Sequence, residues 1–507
     1  MLEQVFLVRQ EVEKYNMFTV IKSLPPQELN LSNIGNRMEF SYQKIYNIFQ
    51  ALLNDLLELV PDLDPKVTKI EAIDFDKLSV DKYRLYLVEN AIVFQAFNYG
   101  LTSPNPSLEA FSNDHFTSKS ILNRKMSNFR IFLKNFGLKI SNSTLEIKGD
   151  EKNIRWMSYF VYWQVYHGLK WPFSFIQENN IKKIINDANI HFDNPIATLQ
   201  LEYLIAISQI RITKRCYIKD MGKFNEVFED KDIGGQILKP EFYTLVPINA
   251  LDEENKFINL FKEVVFEAGE TDSDKPINLN FKINSKFYGI VYRFVDFLKE
   301  RYNDDMSVYR NQKILTNIMT FVTREIIFYY IMAPDSLIRW SHYDDSPEDT
   351  KEYTSLYQDV YEFFSNVDSE KYPGVYNAAE NIARDLFKVL PSYISTIKES
   401  DIIHVKLLAD PGNPIEAVIS RNIRSLDFAE IVPITTYENV DVLITTLDIF
   451  PTKEELKKYP DSLVVMPWDI SSTRSDYIYL MIRLNKIYVA KLKSKVDKMK
   501  KKRKKVK

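Results

Sequence analysis

Apolar residues along this chain recur mostly three or four positions apart, the spacing that lays one stripe along a helix. After Ser41 come Ile45, Ile48, Phe49, Leu52, Leu56 and Leu59. The spacing predicts a helix capped by Ser41 and ended before Pro61. Upstream, residues 1–60 read as helices with turn-like breaks at Leu24-Pro25-Pro26 and over 30–37. An acidic, proline-containing linker follows at 62–65. The next stretch repeats the plan. It predicts a helix over about 82–99, a break over 100–106, a short helix over 107–114, and a longer helix capped by Thr117 that runs to about Asn135 and stops at Gly137. Residues 138–147 alternate around a polar turn and read as a β-hairpin. An offset of 76 aligns Phe40-Ser41 with Phe116-Thr117, Ile45 with Ile121 and Leu53 with Phe129, a weak internal repeat.

From 151 to 395 the period stays helical, with breaks near Gly234-Gly235, Lys275-Pro276 and 344–347 that suggest two bundles. Beyond 400 the character changes. Short β-rich runs at 402–408, 429–435, 440–446 and 463–466 alternate with helical runs at 414–425, 452–458 and 472–492. That alternation predicts a small parallel-sheet α/β domain.

Composition sharpens this picture by exclusion. Only 12 glycines in 507 residues argue against a glycine-rich nucleotide loop. A single cysteine, Cys216, rules out an internal disulfide and a zinc site of several thiolates, and fits a reducing cytoplasm. No uncharged run approaches the roughly 18 residues of a membrane span. The N-terminus lacks a signal peptide's apolar core and cleavage site. No Walker loop, GxGxxG, HExxH or nucleophile elbow is present, so neither an enzyme nor a cofactor or metal site is expected.

Net charge is −3, but residues 491–507 hold eleven Lys or Arg against one Asp, leaving the rest of the chain distinctly acidic. Nucleic-acid contact must therefore be local. One segment qualifies. Residues 117–148 carry seven Lys or Arg and one Glu. There Leu122, Met126, Phe129, Leu133 and Phe136 form an apolar stripe, with Lys119, Asn123, Ser127, Arg130 and Lys134 opposite. A recognition helix needs that division: one face docks, the other meets the major groove. Composition alone does not separate this from a solvated surface helix. The order of short helix, basic helix and hairpin favours DNA. Candidate contacts are Thr117, Ser118, Lys119, Ser120, Asn123, Arg124, Ser127, Asn128 and Arg130, with Lys139 and Lys148 of the hairpin placed for phosphate. Gln43, Lys44 and Asn47 of the first unit either add contacts or pack on a neighbour. The competing reading is a helical scaffold that binds proteins and not DNA; the basic face separates the two.

Residues 107–173 also resemble a family. Thr117-Ser-Lys-Ser-Ile-Leu-Asn-Arg-Lys125, Gly149-Asp-Glu-Lys-Asn-Ile-Arg155, Tyr162-Trp163 and Trp171-Pro-Phe173 are similar to the Mga family of Gram-positive transcription regulators, virulence regulators among them. The resemblance implies a mainly α, multidomain chain. It would hold two N-terminal winged helix-turn-helix units, two helical PTS-regulation domains and a C-terminal domain resembling the EIIB component of sugar phosphotransferase systems. The expected boundaries are 1–62, 66–150, 151–275, 280–395 and 400–492, then a basic tail over 493–507. The implied partners are double-stranded DNA, a second copy through the C-terminal domain, and phosphocarrier proteins acting on histidine. His191 and His342 are the candidate acceptors; His115, just before the recognition helix, is placed to touch phosphate, and His167 and His404 read as local or structural. The loop 409–414 lacks the Cys that EIIB-type phosphotransfer uses, which leaves subunit contact as that domain's implied role.

Overall fold

Side-chain caps set many of the helix starts. Asn30, Ser41, Ser79, Ser107, Ser118 and Asp150 each sit in extended backbone and accept from a main-chain N–H two or three residues on. The computed structural model describes residues 2–64, 66, 69–192, 194–228, 235–266, 285–302, 312–332, 355–392, 401–409, 415–446, 451–468 and 474–505. Its first helices are α1 (Glu3–Phe6), α2 (Arg9–Ser23), α3 (Leu31–Met38), α4 (Tyr42–Leu59), α5 (Val80–Asn90), α6 (Ile92–Thr102), α7 (Leu108–Asp114), α8 (Lys119–Lys125) and α9 (Ser127–Lys134). A hairpin of β1 (Lys139–Ile140) and β2 (Ile147–Lys148) leads into α10 (Glu151–Tyr166), α11 (Glu178–Asp187), α12 (Pro195–Thr213), α13 (Gly222–Val227) and α14 (Ile248–Leu260).

Four expectations change here. The break expected over 30–37 is the helix α3. Its polar sequence hides a cap, because the Asn33 amide donates to Asn30 Oδ1 (2.9 Å), while Ile34 is fully buried. The single helix expected over 82–99 is two, since Ala91 is extended between α5 and α6. The apolar pattern runs on through the turn because both helices bury a face. The helix expected over 117–135 also divides, at Met126, where ψ is 0°. Finally, the first unit has no wing: after α4 the described residues of 60–79 form two 3-10 turns, Ile70–Ala72 and Phe75–Lys77, and no strand.

The described residues fall into two compact units. The first spans Met1–Val291, Met319–Asp344 and Asp368–Ala378. At its centre Phe6 of α1 lies 5.5 Å from Phe94 and 5.4 Å from Phe129, and Phe97 lies 5.6 Å from both Phe129 and Tyr162. Each such ring pair adds about 0.5–1.5 kcal/mol beyond its area. The first four-residue helix is thereby part of the core under α9. Below it, α10 is buried on nearly every side, and its charges are paired. Arg155 and Glu254 are both fully buried and joined twice, one bond being 2.8 Å. Glu151 ties Arg155 (3.1 Å) to Arg211 (2.8 Å). Burial pushes the Glu254 carboxyl up, and Arg155 works against that. Removing one partner of such a pair leaves an uncompensated buried charge.

The second unit spans Tyr292–Ile318, Asp345–Val367 and Ala379–Lys507. Phe294 packs on Phe363 and Phe364 at 5.0 and 5.1 Å, and Asp359 accepts from Tyr302 (2.8 Å) and Arg301 (2.6 Å). Toward the C-terminus, β3 (Ile403–Leu408), β4 (Ala429–Ile431), β5 (Val442–Thr445) and β6 (Val464–Pro467) form one parallel sheet in the order β4-β3-β5-β6. Ile403, Val405, Leu407, Val442 and Ile444 share a core with Ile419, Ile423, Leu480 and Leu484 from flanking helices. The parallel α/β character expected beyond residue 400 is present. No helix among the described residues is long and apolar enough to cross a membrane.

Candidate nucleic-acid interface

The turn between α7 and α8 is built from the main chain. Phe116 takes a left-handed conformation (φ 49°), and the Thr117 amide donates to Ser112 O (2.9 Å). That hooks the chain back onto α7 and leaves Ser118, not Thr117, to cap α8: the Ile121 amide donates to Ser118 Oγ (3.1 Å). Two adjacent hydroxyls could serve as cap. The backbone at Phe116 decides between them.

Leu122, Met126, Phe129, Leu133 and Phe136 are all buried to 1% exposure or less, so the expected docking stripe survives the division at Met126. The opposite side is not uniformly free. The Arg130 guanidinium donates to the carbonyl of Asn123 (2.7 Å), to Asn123 Oδ1 (2.7 Å) and to Asn142 Oδ1 in the hairpin turn (3.0 Å). Asn128 donates to the carbonyl of Gln4 (2.9 Å), and Lys119 meets Glu109 at 3.2 Å on the surface. Thus Arg130, Asn123 and Asn128 brace the unit, whereas Ser120, Arg124 and Ser127 stay exposed to solvent. Asn142 is the residue that sequence reasoning missed. It sits in a polar turn whose composition signals only a turn.

The hairpin is the expected wing. Lys139 stands opposite Lys148 in its register and Ile140 opposite Ile147, with both isoleucines buried and both lysines exposed. The wing is anchored from two sides. The Leu108 amide donates to Ser143 O (2.9 Å), and α6 presses on Leu145, where a Cβ added to Gly100 would lie 2.2 Å from the Leu145 carbonyl oxygen. Like charges facing across a ribbon are unfavourable by themselves. Exposed Arg124, Lys125, Lys134, Lys139 and Lys148 form no ion pair among the described residues.

The first unit repeats this geometry at an offset of 77, not 76. Asn30 corresponds to Ser107 as cap, Glu39 (φ 57°) to Phe116 as the left-handed turn residue, and Ser41 to Ser118 as the second cap. The Phe40 amide donates to Gly35 O as Thr117 does to Ser112 O. Burial fixes the register: Ile45, Phe49, Leu52 and Leu56 match Leu122, Met126, Phe129 and Leu133, whereas 76 would pair buried Ile45 with exposed Ile121. The chemistry differs. Lys44 pairs with Glu13 (2.8 Å) and lies 3.4 Å over the Phe40 ring, and Gln43 donates to Asn47 (3.2 Å).

His191 is exposed in the loop after α11, and His342 lies outside the described residues. His115 stacks on Phe111 (4.1 Å), His167 Nδ1 meets Asp81 (2.8 Å), and the main-chain amide of His404 in β3 donates to Asp441 (2.9 Å). Cys216 is half-buried, its carbonyl accepting from Arg155 (3.0 Å). Among the described residues no group of three His, Cys, Asp or Glu could hold a metal ion.

Together the short helix, hooked turn, basic helix and wing define a winged helix-turn-helix unit. Residues 76–162 match the family described as the Mga helix-turn-helix domain, and the chain carries that domain. The match supports a DNA-binding transcription regulator of the Mga family. No curated protein matches the chain.

Proposed function

We propose that this protein is a sequence-specific transcription regulator that sets the start of α8 in the major groove and the wing against flanking phosphates. The single observation that carries this reading is the unpaired basic surface shared by α8 and the wing, in a chain that is acidic outside its tail. Ser120, Arg124 and Ser127 are the base-facing candidates, Thr117 and Ser118 lie at the helix entry, and Lys139 and Lys148 take phosphate. Lys119 joins them by releasing Glu109, an exposed pair of small worth. Asn123, Asn128 and Arg130 hold the shape. In the first unit Gln43, Lys44 and Asn47 are at most auxiliary, because Lys44 is already paired.

The regulatory half of the proposal follows the family resemblance. Phosphocarrier proteins would modify His191, which is exposed, and His342; two copies would join through the C-terminal domain; the genes controlled would be virulence or carbohydrate-responsive ones. The test of the core claim is binding to duplexes selected from a random pool. Replacing Ser120 and Arg124 with Ala should erase the preference for selected over random DNA. Replacing Lys139 and Lys148 with Ala should weaken both alike and flatten the salt slope by about 0.9 per lysine. Unchanged binding in both variants sinks the assignment.

A further inference from the structure

We propose that Phe116 and Ile121 form an apolar contact for thymine methyl groups beside the entry of α8, an inference that rests on the DNA-binding reading above. Phe116 is 98% exposed, so its ring contributes nothing to the core. It also occupies a left-handed turn position (φ 49°) that disfavours any side chain with a Cβ and suits Gly or Asn. The fold therefore gives no reason for phenylalanine there. The equivalent turn residue of the first unit is Glu39, so the hooked turn itself does not require an aromatic ring.

The surroundings point to the occupant. Ser118 fixes the start of α8 two residues after Phe116, and Ile121, 43% exposed, lies in the first turn of that helix. Exposed Lys119, Arg124 and Lys125 stand on the same short helix. Two exposed apolar side chains at the start of a helix that carries exposed cations complement a polyanion that itself carries apolar groups. Duplex DNA offers one in the major groove, the thymine 5-methyl, and the first residues of a recognition helix are those that reach base edges. A wholly apolar protein partner would leave Arg124 and Lys125 desolvated and unpaired.

The test uses the full chain. Duplexes are selected from a random pool, and each thymine of the recovered consensus is exchanged for deoxyuridine, which removes only the methyl group. The wild-type protein is expected to lose about four-fold in affinity at one or more of these positions, the worth of one buried methyl. The double variant F116A/I121A should show no penalty at the same positions, and F116L should keep it. Because Phe116 is exposed, these variants should melt with the wild type. An undiminished methyl penalty in the double variant overturns the proposal, and so does a uniform loss of affinity for all sequences, which marks a backbone contact. Failure of the wild type to enrich any sequence overturns the DNA reading beneath it, before any substitution is made.

Discussion

Arg130 faces outward in the helical pattern and reads as a DNA contact, yet its three hydrogen bonds turn inward to Asn123 and Asn142. Those bonds tie α9 to α8 and to the wing tip. Asn142→Ala should then cost no more than about 1 kcal/mol of stability while lowering DNA affinity about five-fold, since one hydrogen bond that sets geometry is worth about 1 kcal/mol. Fluorescence anisotropy beside a melting curve checks this; a variant that binds as tightly as wild type removes the positioning role. At this scale the sequence made burial legible and partners illegible. The stripe from Leu122 to Phe136 follows from period alone. The choice of Ser118 over Thr117 as cap, and the repeat offset of 77, depend on a left-handed residue at Phe116 that no propensity scale favours.

At the scale of elements, the wing was readable because its polar turn is flanked by alternating residues that bury Ile140 and Ile147. The helix α3 was not, because its asparagines suit a loop as well as a cap. The closeness of α6 to the wing has no signature beyond Gly100 itself. Gly100→Ala places a methyl group 2.2 Å from the Leu145 carbonyl oxygen, so the hairpin or the helix must move. A loss of about 2–3 kcal/mol is expected in chemical denaturation, with weaker DNA binding even below the transition. A variant of wild-type stability would show that the wing is free to shift. Among the described residues after α4 there is no strand, and Pro61, which lacks a backbone donor, opens that stretch.

For the whole molecule, the parallel sheet beyond residue 400 emerged from alternating β and α runs, whereas its strand order, β4-β3-β5-β6, did not. Nor did assembly. The terminal helix, Arg474–Lys505, buries Leu480, Leu484 and Leu492 but leaves Ile478, Tyr479 and Ile482 exposed by about half. If the C-terminal domain joins two copies as proposed, Ile478→Lys with Ile482→Lys should convert a dimer to a monomer in sedimentation velocity at micromolar concentration. An unchanged sedimentation coefficient would move the interface elsewhere. The short helix α1 has a practical corollary. Phe6 fills the ring cluster of Phe94, Phe97 and Phe129, and Gln4 receives Asn128, so a chain translated from Met17 would lack a plug for a cavity under the DNA-reading unit more than a hundred residues downstream. Gene cloning, affinity-tag placement and protease trimming at the amino terminus therefore act directly on the winged helix-turn-helix unit proposed to meet DNA.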